Sequence, residues 1–80
     1  MMRVTIAHHH FYFHPAEVEW AMNGVAPEPV TGASVDIGRV RYPAMQVGAI
    51  LTRQDRRDFS AGEVVRAMHL LGFTVHPPSL

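Results

Sequence analysis

The segment "VDIGRVRYP", Val35 to Pro43, constrains the fold more than any other stretch. Gly38-Arg39 suits a two-residue hairpin turn of the Gly-X type, which fixes the register on either side. Ile37 then faces Val40, Val35 faces Tyr42, and Asp36 faces Arg41. The ribbon has an apolar face and a face with an ion pair. A slip of one residue would mix the two, so the register is strongly specified. Pro43 ends the ribbon, because it has no N–H for the ladder. The apolar face needs cover from the flanking segments.

Those segments supply helices and further strands. Met2 to Phe13 is rich in β-branched and aromatic residues and reads as a strand. Pro15 opens a helix in "PAEVEWAMNG", with Glu17 and Glu19 near its positive end. Val18, Ala21, Met22 and Val25 form its expected buried stripe, and Asn23-Gly24 stops it. "GVAPEPVTGA" is a loop. "PAMQVGAILTRQ" fits a helix with Ala44, Val47 and Leu51 inward; as a strand it would give a ferredoxin-like βαββαβ order. Ser60 and Glu63 form an S-x-x-E capping box, with Phe59 and Val64 as its hydrophobic staple. Val64, Ala67, Met68 and Leu71 continue as one apolar face to Gly72, a C′ glycine, and Phe73 is placed to touch Met68. "FTVH" closes the chain as a short strand. The expectation is a single α+β domain over residues 1–80, in the order β-α-β-β-α-α-β.

Size matters at this point. A chain of 80 residues buries roughly two thirds of its unfolded surface, so the core is thin. With no cysteine, neither a disulfide nor a thiolate metal site thickens it. Self-association, most simply a homodimer, is a natural way to complete such a core. The start carries too short an apolar run for a secretory signal, and nothing reaches membrane-spanning length. A cytoplasmic protein without membrane contact is expected.

The candidate chemistry lies in two clusters. "AHHHFYFHP" holds His8, His10 and His14 on one side of a regular strand, with Tyr12 between them. His8-x-His10 is a chelating spacing, and imidazole-only sites suit zinc or nickel. The alternative is a polar strand face, with His9, Phe11, Phe13 and Trp20 contributing to the core. No Gly/Ser spacer marks the histidines as a tag. No nucleophile constellation, phosphate-cradling loop or paired carboxylates accompany them, so a non-enzymatic protein is expected.

The second cluster is basic. Residues 1–38 carry a net charge of −3 and residues 39–80 a net +3, with no lysine anywhere. Arg39, Arg41, Arg53, Arg56, Arg57 and Arg66 supply the positive half. Gathered on one surface they would contact phosphates. The alternative is a solvated loop in which Asp55 and Asp58 neutralise their neighbours.

Three short stretches, "RYPAMQVGAI", "RRDFSAG" and "HLLGF", lie between Val35 and Phe73. Their Tyr-Pro, Asp-Phe-Ser and Leu-Gly-Phe signatures resemble a small module of uncharacterised actinobacterial proteins. These stretches likewise resemble a module near the start of some McrA-like HNH restriction endonucleases. Tyr42, Pro43, Phe59, Leu71, Gly72 and Phe73 carry the resemblance and look structural. Those relatives often place a lysine where this chain has Met45. The resemblance implies a helix at 44–53 and tilts function toward DNA. The leading expectation is therefore a small nucleic-acid-associated or regulatory protein using its arginines. The alternatives are an assembly module working through the His/aromatic strand, and a histidine metal-binding protein.

Overall fold

A computed structural model of the chain describes residues 2–7 and 9–78. The elements are β1 (Met2–Ile6), β2 (His9–Phe13), α1 (Pro15–Met22), β3 (Ser34–Ile37), β4 (Val40–Pro43), α2 (Ala44–Thr52), a one-turn 3₁₀ helix (Arg56–Asp58), α3 (Ala61–Leu70) and β5 (Thr74–His76). They make two antiparallel sheets, β1–β2 and β4–β3–β5. The α+β class and the order of elements agree with expectation, with one refinement. The stretch read as a single strand from Met2 to Phe13 folds back on itself, pairing Met2 with Phe13 and Ile6 with His9. Ala7 takes up the reversal at φ 54°. No Gly, Asn or Asp marks that turn, so strand-forming residues run through it unbroken.

The second hairpin has the expected register, Ile37 on Val40, Val35 on Tyr42 and Asp36 on Arg41. Its turn is of a different type. Gly38 and Arg39 both have positive φ, 59° and 67°, as in a type I′ turn. Arg39 therefore holds a left-handed conformation that costs a residue with a Cβ about 1–2 kcal/mol. Pro43 stays within β4, opposite Ser34. Alternation from the turn makes that a pair whose N–H groups point outward, so the missing donor costs the hairpin nothing. β5 joins the far side of β3, with Val75 opposite Val35.

Residues 44–52 are helical, which removes the ferredoxin-like alternative. Val35 and Ile37 of β3 share one core with Val18 and Met22 of α1, Val47 of α2, and Val64, Ala67 and Met68 of α3. β1 adds Val4 and Ile6 to it. α2 and α3 approach closely at Gly48, where an added Cβ would lie 2.5 Å from the Phe59 ring and 2.6 Å from Val64. The α3 ends are built as read. Ser60 Oγ accepts from the Glu63 N–H at 3.2 Å, and Glu63 Oε1 accepts from the Ser60 N–H at 3.0 Å. At the other end Gly72 (φ 96°) donates to His69 O and Phe73 donates to Met68 O, both at 3.0 Å, a Schellman ending.

Trp20 corrects the expected core: it is 81% exposed. Val18 and Met22 take the inward side of α1, and Trp20 lies two positions from each, about 200° around the helix. Phe11 and Phe13 are half-buried, as half-core residues of the first hairpin.

Candidate functional site

A side-chain hydrogen bond ties the turn of the first hairpin to α3. The Ala7 N–H, in the turn, donates to Glu63 Oε2 at 2.6 Å. The same carboxylate closes the capping box of α3, so a single group sets both the helix start and the position of the hairpin. One face of the hairpin packs inward through Val4, Ile6, Phe11 and Phe13. The two phenylalanine rings stack at 5.9 Å, nearly parallel at 7°. Arg3, Thr5, His10 and Tyr12 are exposed on the other face, where Thr5 Oγ1 bonds His10 Nδ1 at 3.0 Å.

The hydrogen-bond pattern follows from the turn. A two-residue loop makes Ile6–His9 a bonded pair, and alternation makes Val4–Phe11 and Met2–Phe13 bonded as well. The backbone N–H and C=O groups of His10 and Tyr12 then point outward from β2, and those of Arg3 and Thr5 outward from β1. Among the described residues no third strand joins this sheet, so both rows face outward without a sheet partner. The two edges differ in surroundings, because α3 packs beside β1.

An apolar groove continues from the end of β2. It encloses about 430 Å³ and is lined by Phe13, Ala16, Trp20, Ala21, Ile50 and Leu51, with Glu17 and Arg53 as its charged members. Phe13 belongs to both β2 and this groove, which links the strand to it. Aromatic residues exposed beside an unpaired strand are the usual marks of a contact surface.

Of the six candidate arginines, three pair carboxylates within the fold and two line grooves. Arg41 Nε bonds Asp36 Oδ1 at 3.0 Å. Arg56 grips Glu28 with both terminal nitrogens, each at 2.7 Å, and Arg57 bonds Asp55 at 3.1 Å. These contacts hold the carboxyls of Glu28 and Asp55 below their ordinary range. Asp36 is lowered too, first by its hydrogen bond to His76 Nε2 at 2.9 Å and then by Arg41. Arg39 sits in the β3–β4 turn. Arg53, in the left-handed C-cap of α2, lines the Trp20 groove. Arg66 lines a different groove, with Arg3.

His8 lies outside the described residues. His10 is tied to Thr5, and His14 is the N-cap of α1, its N–H donating to Glu17 at 2.8 Å. Among the described residues no group of three or more His, Cys, Asp or Glu is placed to hold a metal. No described helix is long and apolar enough to cross a membrane.

Sequence reasoning missed several polar contacts that join distant segments. Buried Gln46 accepts from the Glu28 N–H and donates to Ala26 O, both at 2.9 Å. With Arg56 it pins the proline-rich loop. The Tyr42 hydroxyl shares its proton between Met22 O and Val25 O, each at 3.0 Å, closing the end of α1. Gln46 lay beside rather than on the apolar stripe of its helix, so its burial carried no clear sequence signal. Comparison with known proteins matches residues 2–79 to a family described as SCO5918-like. No curated protein and no solved structure matches the chain.

Proposed function

The chain belongs to the SCO5918-like family, and for this member we propose a role as a protein-assembly module that pairs with a second copy along the open edge of β2. The observation that carries this reading is the unpaired edge itself, with Tyr12 58% and Trp20 81% exposed around it. An antiparallel edge is self-complementary under a two-fold axis. With the axis at Phe11, the outward groups of His10 would bond those of Tyr12 in the other copy, making a four-stranded sheet. The Trp20 groove, linked to the strand through Phe13, would then be covered along with it. Exposed apolar surface and an open strand edge are remedied by the same contact.

The arginine reading has less support. Arg41, Arg56 and Arg57 are engaged by carboxylates within the fold, and Arg53 and Arg66 line separate grooves. Sedimentation of the untagged protein across a concentration series tests the proposal. A monomer–dimer equilibrium at micromolar concentration is expected. A monomer persisting to millimolar concentration would overturn it, and steeply salt-dependent retention of mixed-sequence duplex DNA would favour the arginine reading instead.

A further inference from the structure

The opposite edge of the same hairpin has a different character. Between β1 and α3 runs a groove of about 600 Å³, lined by Arg3, Val4 and Thr5 on the strand side and by Gly62, Arg66 and Leu70 among the helix residues. The strand side presents outward N–H and C=O groups at Arg3 and Thr5, spaced for an added strand. The helix side presents residues four apart, at Gly62, Arg66 and Leu70, which fall along one face. Gly62 leaves open space, since nothing but the Ser60 hydroxyl comes within 4 Å of an added Cβ. Leu70 is 52% exposed. A strand edge facing a helix is the arrangement in which an extended peptide bonds to the strand and sets alternate side chains against the helix.

Charge selects the occupant. Arg3 and Arg66 are both exposed, and neither is in an ion pair among the described residues. Glu63 is the carboxylate lining this groove. It is already engaged by the N–H groups of Ala7 and Ser60 and by the Ser60 hydroxyl. The groove therefore offers two exposed cations against one carboxylate, which is hydrogen-bonded within the fold. We infer that the β1–α3 groove captures an extended acidic peptide segment by strand addition, with Arg3 and Arg66 pairing its carboxylates. This site is independent of self-association along β2, since the two edges lie on opposite sides of the hairpin.

The test uses fluorescein-labelled hexapeptides in which valine alternates with glutamate, glutamine or lysine, titrated with the full chain at low salt. The glutamate peptide is expected to bind at least tenfold more tightly than the lysine peptide, with glutamine between them. Arg66→Ser should weaken it about fivefold, and Arg66→Glu should abolish the preference for glutamate. Thr5→Pro should weaken it more than tenfold, because it removes an outward N–H while sparing the backbone bonds within the hairpin, and of side-chain bonds loses the one to His10 on the outer face. Amide spectra of each variant establish that it is folded, and Arg66→Glu, on the helix surface, keeps the test available if Thr5→Pro is not. No binding of the glutamate peptide, equal binding of the lysine peptide, or unchanged affinity in a folded Thr5→Pro variant would each overturn the inference.

Discussion

The molecule contains two hairpins of nearly equal size with opposite fates. β3–β4 is joined by β5 and sits against all three helices, and Val35 and Ile37 are at most 2% exposed. β1–β2 gains no third strand among the described residues and packs mainly through β1 against α3. Both have two-residue turns, and both alternate apolar with polar residues. What separates them is whether a neighbour uses their outward backbone groups. In the second hairpin β3 donates its free edge to β5. In the first, neither edge gains a strand among the described residues, and one of them faces α3. A strand pattern alone does not say which role a hairpin plays; the neighbours decide it.

The contrast can be broken at the core first. Ile37→Ala should cost about 2–5 kcal/mol, through lost burial and the cavity it leaves. Tyr12→Ala, in the first hairpin, should change monomer stability by less than about 0.5 kcal/mol. Denaturant unfolding at a concentration below association checks both. Equal losses would mean that the first hairpin is core in the same sense as the second.

The hydrogen bond that ties the first hairpin to α3 comes next. Glu63→Gln weakens a charged acceptor of the Ala7 N–H and should cost about 1–2 kcal/mol. Its signature is local. Amide exchange in β1 and β2 should quicken by more than the global loss of stability accounts for, while β3 and β4 follow that loss alone. Uniform acceleration across both hairpins would contradict this.

The turn of the second hairpin offers a gain. Arg39→Gly removes the left-handed strain of a residue with a Cβ, partly offset by the freedom that glycine gains in the unfolded chain. A net stabilisation of about 0.5–1 kcal/mol is expected by thermal unfolding.

The smallest effect is electrostatic. The Asp36 carboxyl is held below its ordinary range by His76 and Arg41. Its stabilisation is therefore present above the unfolded value, about pH 3.9, and is lost as pH falls through the lower folded value. Asp36→Asn should flatten part of the acid arm of the stability profile. The rest persists, because Glu28 and Asp55 are lowered in the same direction. An unchanged acid arm would show that the β3–β5 contact contributes nothing to it.

Local features were legible in the sequence where short-range rules govern them. Gly38-Arg39 gave the register of the second hairpin, and Ser60, Glu63, Gly72 and Phe73 gave both ends of α3. The first turn was not legible, because Ala7 at positive φ carries no turn signature. Trp20 was misplaced because its bulk suggests core, although the stripe of Val18, Ala21 and Met22 already turns position 20 outward. The pairing of Arg56 with Glu28, 28 positions apart, depends on where the loop lies, which no local pattern encodes. That pairing, like those of Arg41 and Arg57, engages an arginine with a carboxylate of the same fold.

The central claim is that the open edge of β2 is an assembly surface. It is tested most directly by Tyr12→Pro, whose lost N–H is one that points outward and serves no bond within the hairpin. Its mass by light scattering should fall to the monomer at concentrations where the unsubstituted chain is a dimer, with the folded amide spectrum retained. A folded Tyr12→Pro protein that remains dimeric would contradict the claim.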